Sequence, residues 1–158
     1  MEIKMKKILA CLAIIFFMSA CGNGNKTKTT TCTNDLNGIK YEATYKSNED
    51  KVSEMKENLK IPFDYVGEDE DSAKTYVENI ENTFKDIEGV TISSNIDKKE
   101  KIVDITLTID FENAKSEELM SAGVFNEELL KETDGKKYPS LKAIVEANEE
   151  GGQTCKDK

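Results

Sequence analysis

Residues 103–111 read VDITLTIDF, and this stretch decides the fold of the chain. Apolar side chains stand at every second position from Val103 to Phe111, with aspartates and threonines between them. A period of two predicts a strand that buries one face and leaves the other at least partly solvated. We therefore expect a sheet that is covered on one side.

Two further strands are predicted before this one. Residues 39–45 alternate in the same way, and a second apolar stretch spans about 51–63. The later apolar residues of that stretch share one parity whereas Val52 has the other, so a bulge is expected near Ser53. Pro62 is expected to end the pairing or to lie on an edge.

A helix and a third strand are predicted between these strands and residues 103–111. The acidic run 68–71 precedes an apolar stripe at helical spacing over 73–87. Negative charge is favourable at a helix N-terminus, and Gly89 is expected to end the helix. Val90, Ile92 and Ile96 then predict a strand.

The period changes after Asn113. Leu119–Met120 and Leu129–Leu130 predict short helical segments, and Pro139 is expected in the first turn of a last helix that ends at Gly151–Gly152. The order strand, strand, helix, strand, strand, helices predicts an α+β fold: an antiparallel sheet of about four strands with helices packed on one face. One domain is expected over residues 32–158.

Composition excludes several classes of function. The 158 residues carry 22 Lys+Arg against 31 Asp+Glu, a net charge of −9, and they include no histidine. Nucleic-acid binding and electrostatic docking on anionic lipid both need basic surface, so neither is expected. The lack of histidine excludes most catalytic triads and zinc sites, and no metal or cofactor is predicted.

The first twenty residues have the features of a signal peptide. Lysines precede an apolar run from Ile8 to Met18, which is shorter than the roughly 20 residues that span a bilayer core. Ser19-Ala20-Cys21 then resembles a bacterial lipobox, although Met18 stands where leucine is usual. The prediction is that residues 1–20 are removed and that Cys21 carries acyl chains such as palmitate. The alternative is an ordinary secretory signal with a chance cysteine.

Lipidation would fix the location of the protein. Several acyl chains hold a protein to a bilayer far better than one. The domain is therefore expected on the extracytoplasmic face of the cell membrane, with that membrane as its partner through Cys21. Residues 21–31 are polar and small, and they are predicted to be a flexible tether.

Two of the four cysteines remain for the domain. Cys11 lies in the signal peptide and Cys21 takes lipid, which leaves Cys32 and Cys155. An oxidising compartment permits a disulfide between them, and this is the prediction. Two free thiols are the alternative, while a metal pair lacks the histidines and the CxxC spacing that it would need.

Residues 45–111 resemble the YehR family of bacterial lipoproteins, whose function is unknown. The resemblance lies in the order of several short pieces. They are Tyr45-Lys46, Asp50-Lys51-Val52, Ile61 and Phe63, Asp71-Ser72-Ala73-Lys74-Thr75, residues 84–90 (FKDIEGV), Val103-Asp104-Ile105-Thr106-Leu107 and Asp110-Phe111. Residues 61–63 depart locally from the family pattern, and the part after Asn113 matches more loosely. The resemblance implies a compact α+β lipoprotein and supplies no catalytic residue.

No motif in the chain predicts catalysis. An EF-hand loop starting at Asp69 would need glycine where Lys74 stands, and no phosphate-binding glycine loop is present. The acidic run 68–71 is interpreted as a solvated helix start. Four aromatic residues lie off the strand and helix stripes, and they could form a binding rim or could close the ends of the core: Phe63, Tyr65, Phe125 and Tyr138.

The leading hypothesis is an envelope lipoprotein domain that binds a peptide, a small molecule or another envelope protein without catalysis. A structural or interaction subunit of a larger complex is the alternative, and a carboxylate-based hydrolase is a third. An apolar pocket would favour a small molecule, whereas a flat exposed apolar patch would favour a protein partner. Two carboxylates about 5–9 Å apart in a cleft would favour the hydrolase.

Overall fold

The computed structural model describes residues 26–133 and 135–158. The predicted signal peptide, Cys21 and the first part of the predicted tether lie outside these residues. In chain order the elements are β1 (Thr27–Leu36), β2 (Ile39–Asn48), β3 (Lys51–Pro62), α1 (Glu70–Phe84), β4 (Val90–Asp97), β5 (Ile102–Asp110), α2 (Ser116–Ser121), β6 (Leu130–Thr133), β7 (Lys136–Pro139), α3 (Leu141–Glu150) and β8 (Thr154–Asp157).

The main sheet has six antiparallel strands in the order β4-β5-β3-β2-β1-β8, and β6 and β7 form a separate hairpin. The α+β class and the antiparallel sheet are confirmed, but the predicted count of about four strands is too low. The strands that the sequence pattern did not reveal are β1, β6, β7 and β8. Three of these have only four residues, too few for a period to show.

The first strand corrects the predicted tether. Residues 27–31 were expected to be flexible, and instead they form the first half of β1. β2 pairs with the whole of residues 27–31, and β8 pairs with the last two of them, Thr30 and Thr31. Threonine is β-branched and favours strands, but a run without aliphatic residues shows no burial pattern. The domain therefore begins before residue 32.

The predicted bulge near Ser53 is confirmed. Lys46 pairs with Glu54 and Ser47 pairs with Val52, which leaves Ser53 as the extra residue of β3. The bulge returns Val52 to the face that the rest of the strand buries. Strand β3 ends at Pro62, as predicted.

The start of α1 is as predicted, and its end is earlier. Asp69 is the N-cap, and its carboxylate accepts a hydrogen bond from the Ser72 N–H at 2.7 Å. The helix ends at Phe84 rather than near Gly89. Gly89 has φ +76° and lies in the turn into β4, where a side chain would collide with the backbone of Ala114.

The C-terminal third differs most from its prediction. Leu130 begins β6 rather than continuing a helical segment, because the helical turn before it ends at Leu129. Pro139 ends β7, and it is Ser140 that caps α3 by accepting from the Ala143 N–H. Proline suits an edge strand as well as a first helical turn, so the sequence alone did not decide between them.

All three helices cover the same face of the sheet, as predicted, and the core forms two clusters. One lies under α2 and α3 and includes Met55, Ile109 and Leu119. The other lies under α1 and includes Val77 and Val103. The opposite face of the sheet is polar. Residues 26–158 thus contain a sheet, its covering helices and their core, and we expect this part to fold on its own.

The predicted disulfide is confirmed. Cys32 and Cys155 are direct partners in the pairing of β1 with β8, and their sulfurs are bonded. The alternatives of free thiols or a metal pair are therefore wrong for these two residues. None of the helices within residues 26–133 and 135–158 combines the length and apolarity needed to cross a bilayer.

Candidate functional site

The helical layer does not fully cover the middle of the sheet. On β5 the inward side chains Val103, Ile105 and Ile109 are buried, but Leu107 between them is only half-buried. The middle of β3 behaves in the same way, because Leu59 is only partly covered. Large aliphatic residues at the centre of a covered face are normally buried completely. A gap in the helical layer therefore lies over this part of the sheet.

The gap is a cleft of about 320 Å³ between the two core clusters. Strands β3, β4 and β5 form its floor, α1 forms one wall, and the turn after α2 forms the other. The lining residues are Glu57, Leu59, Ile80, Phe84, Ile92, Ile105, Leu107, Ala122, Gly123 and Val124. Nine of these ten are uncharged and apolar. We call this feature the central cleft.

Glu57 is the one charged residue that lines the central cleft. It lies on β3 between Ala43 of β2 and Leu107 of β5, so its side chain is placed on the covered face. Within the described residues its carboxyl forms no hydrogen bond and no ion pair. Burial raises the pKa of the half-buried Glu57 carboxyl, because the ionised form loses part of its hydration and no described side chain pairs with it.

Two tyrosines of β2 lie beside Glu57 on the same face. Burial raises the pKa of Tyr41 and of Tyr45, so both phenols stay neutral over the physiological range. The Tyr45 hydroxyl accepts a hydrogen bond from the Asn148 side chain of α3 at 3.1 Å. Neither tyrosine supplies the positive charge that an ionised Glu57 would need.

The mouth of the cleft is acidic. A shallow depression beside it shares Ala122 and includes Asp86, Glu117 and Glu118. We call these three carboxylates the acidic rim. Glu118 pairs with Lys115 at 3.0 Å, but the described salt bridges include neither Asp86 nor Glu117. The rim therefore presents net negative charge beside the cleft.

Glu57 is not among the site residues predicted above, although the sequence carries a signal for it. Met55, Leu59, Ile61 and Phe63 were recognised as one apolar parity, and Glu57 stands in that same parity. A carboxyl at an inward position of a central strand violates the burial pattern. Such local violations are where functional sites are expected. A second signal is that its neighbours Leu59 and Leu107 are only half-buried, and this can be seen only in the tertiary structure.

The four aromatic residues proposed as a rim have separate environments. Phe63 is buried in the α1 cluster, whereas Phe125 packs at the edge of the other cluster against Phe111, with ring centroids 5.3 Å apart. Tyr138 lies on β7, where its hydroxyl accepts from Thr133. Tyr65 is exposed and donates to the Asn37 carbonyl. These residues do not form one binding surface.

The acidic run 68–71 serves the start of α1. Asp69 caps the helix, and Glu70 pairs with Lys74 at 2.7 Å and with Lys98 at 2.8 Å. These interactions agree with the interpretation as a solvated helix start. Within the part of the chain that the structure describes, no three acidic or cysteine side chains come together as metal ligands.

Asp50 joins the β2–β3 turn to α3. Its carboxylate accepts from the Ser140 hydroxyl and from the Lys142 N–H, each at 2.8 Å, and it pairs with Lys131. Burial would raise its pKa, but the hydrogen bonds from Lys131, Lys142 and Ser140 outweigh this and lower the pKa of Asp50. All of these partners are internal, so Asp50 has a structural role.

Residues 27–153 match the family described as "Protein of unknown function (DUF1307)". The chain is also similar to the YehR protein of E. coli, whose NMR structure it matches with 26% identity, a TM-score of 0.61, and coverage of 84% of this chain and 93% of that one. An NMR structure of a protein from Streptococcus pneumoniae TIGR4 shares the fold, with 16% identity, a TM-score of 0.56, and coverage of 99% and 98%. No curated protein matches the chain. The resemblance to the YehR family is therefore confirmed.

Proposed function

Because the chain belongs to the DUF1307 family, whose function is unknown, we propose a function from its own geometry: it is a lipid-anchored, non-catalytic domain on the extracytoplasmic face of the membrane that binds a small molecule in the central cleft. The observation that carries the proposal is the half-buried apolar floor of the cleft around one unpaired carboxyl. Small-molecule sites are concave, mostly apolar, and equipped with few polar groups.

The volume and lining favour a small ligand over a protein partner. Small-molecule pockets measure about 300–1,000 Å³, and the central cleft lies at the low end of that range. The large hydrophobic residues that the described surface exposes are Leu36 and Tyr65, 62% and 52% accessible. Two side chains fall short of the patch of several hundred Å² that marks a protein interface.

Within the central cleft, the arrangement of carboxylates favours binding over hydrolysis. A glycoside hydrolase of the usual type needs two carboxyl groups that flank the scissile bond. The central cleft contains one, Glu57, and the acidic rim lies outside it. A single carboxyl in an apolar cleft is suited to hold a polar group of a ligand in place.

The anchor rests on the sequence of residues 1–21. A short apolar run behind lysines, followed by Ser19-Ala20-Cys21, supports lipidation of Cys21. Strand β1 begins at Thr27, six residues further on. Six extended residues span at most about 20 Å, so a tether between Cys21 and β1 would be shorter than the predicted 21–31 segment and would hold the domain close to the bilayer.

Binding can be tested with N-phenyl-1-naphthylamine, a neutral apolar dye whose fluorescence rises in apolar sites. The protein is the chain from residue 21 with Cys21→Ser, which keeps every described residue and avoids the dye binding to lipid. Ala122→Phe places a large side chain in the cleft. Ala147→Phe makes the same change at an exposed position of α3 outside the cleft.

We expect the dye to bind the parent chain and the Ala147→Phe variant equally well, and to bind Ala122→Phe at least tenfold more weakly. No binding to the parent chain would refute the proposal. Equal binding to all three proteins would place the dye elsewhere and would refute it as well.

The anchor is tested separately by metabolic labelling with palmitate and by cell fractionation. The full chain is expected to incorporate label and to sediment with membranes, whereas Cys21→Ser is expected to do neither. An unlabelled wild-type chain would exclude the lipid anchor and would leave the binding proposal to its own test.

A further inference from the structure

We infer that the ligand of the central cleft is a small alkylamine, whose ammonium group pairs with the Glu57 carboxylate while its apolar chain lies against the leucine and isoleucine floor. The inference rests on the proposed function, because it names the class of molecule that the same cleft binds. It follows from charge, from shape and from the missing partner of Glu57.

The carboxyl of Glu57 favours a positively charged group on the ligand. A buried charge normally has a counter-ion or several hydrogen bonds, because its desolvation is otherwise costly. Within the described residues, Glu57 has neither. An ammonium group supplies both a positive charge and three N–H donors. Charge-assisted hydrogen bonds of this kind are about twice as strong as neutral ones.

The electrostatic field at the mouth of the central cleft also favours a cation. The chain carries a net charge of −9, and the acidic rim lies beside the cleft. A concentration of one sign of charge attracts ligands of the opposite sign and repels those of the same sign. A carboxylate or phosphate ligand would meet the rim and then Glu57, so the geometry disfavours anions.

The apolar floor of the central cleft favours a ligand with a hydrocarbon chain. Leu59 and Leu107 flank Glu57 on the sheet and are only half-buried, and Phe84 and Val124 face them from the two walls. A methylene chain attached to the ammonium would complete their burial, and each buried methylene contributes about 0.8 kcal/mol. A fully polar cation such as a metal ion would leave this surface uncovered.

Binding of an amine is linked to the protonation of Glu57. At low pH the carboxyl is neutral and cannot pair with the ammonium, so affinity rises as pH rises through the pKa of Glu57. The neighbouring groups do not produce this change. Tyr41 and Tyr45 stay neutral, the remaining lining residues are uncharged, and Glu81 of α1 accepts from the Ser94 hydroxyl at 2.7 Å. The acidic rim lies outside the cleft and does not line it.

The experiment compares hexylammonium, 1-hexanol and hexanoate, which share one apolar chain and differ in the head group. Each is titrated as a competitor of N-phenyl-1-naphthylamine on the chain from residue 21 with Cys21→Ser, between pH 4 and pH 8. Methyl NMR shifts of Leu59, Leu107 and Val124 report whether a probe occupies the cleft. Glu57→Gln removes the charge with little change of shape, and Glu54→Gln on the same strand is the matched control.

We expect hexylammonium to bind about 10- to 100-fold more tightly than 1-hexanol at pH 8, and hexanoate to bind most weakly. The preference for the amine should vanish at pH 4 and in Glu57→Gln, and it should persist in Glu54→Gln. If the dye binds but hexanol or hexanoate competes as well as the amine, the inference is wrong while the proposed function stands. If the dye itself fails to bind, both are wrong.

Discussion

The Cys32–Cys155 disulfide should contribute a large share of the stability of the domain. It closes a loop with a sequence separation of 123 residues. In the chain-entropy description, a cross-link of that span removes about 16 cal/mol/K from the unfolded state, or about 5 kcal/mol at 25 °C. Reduction leaves both side chains in place, so the difference between the oxidised and reduced protein isolates the cross-link from changes in packing.

Equilibrium urea unfolding of the chain from residue 21 with Cys21→Ser, with and without reductant, measures this difference. With a slope of about 2 kcal/mol per M, the midpoint should fall by about 2.5 M on reduction. The double variant Cys32→Ala/Cys155→Ala is the control and should not respond to reductant. A loss below about 1 kcal/mol on reduction, or an equal response of the double variant, would refute the reasoning.

Three further changes test the site and its supports. Burial raises the pKa of Glu57, so the wild-type domain loses stability as this carboxyl ionises at high pH. Glu57→Gln should therefore raise the urea midpoint at pH 8, and the gain should disappear as pH falls below 4.5, the ordinary pKa of a glutamate. Gly89→Ala would place a Cβ 2.6 Å from the Ala114 nitrogen at φ +76°, and thermal unfolding should show a loss of about 1–3 kcal/mol. Asp50→Ala removes the acceptor of the Ser140 hydroxyl and should cost about 1–2 kcal/mol. The pKa of Asp50 is lowered in the folded state, so its contribution to stability is present above pH 3.8, the ordinary pKa of an aspartate, and is lost as pH falls through the lower pKa of the folded state. The stabilities of the wild type and the variant should therefore converge in acid.

Part of this fold could be predicted because its signals are local. The alternation over residues 103–111 specified a half-covered strand, and the parity break at Val52 specified a bulge at Ser53. The start of α1 at the acidic run 68–71 followed from acidic residues before an apolar stripe, and the structure identifies Asp69 as the residue that caps it. Each of these features depends on the side-chain periodicity of one segment, and that periodicity can be read directly from the sequence.

The candidate site depended on pieces that are distant in sequence. The central cleft exists because α1 and the turn after α2 leave a gap over the middle of β3 and β5, and no local pattern encodes that gap. The four aromatic residues of the predicted rim lie off the local apolar stripes, and the fold distributes them among separate environments.

The sequence by itself determined the α+β class, the covered face of the sheet and the only cysteine pair left for a disulfide within residues 32–158. Tertiary structure alone decided that the threonines of 27–31 form a strand, because β2 pairs with all of these residues and β8 pairs with Thr30 and Thr31 on the other side. It also decided that Glu57 borders a cleft rather than a closed core. The physical reason is the same in both cases: side-chain period reports which face of a segment is apolar, whereas pairing and coverage depend on what other segments bring to that face.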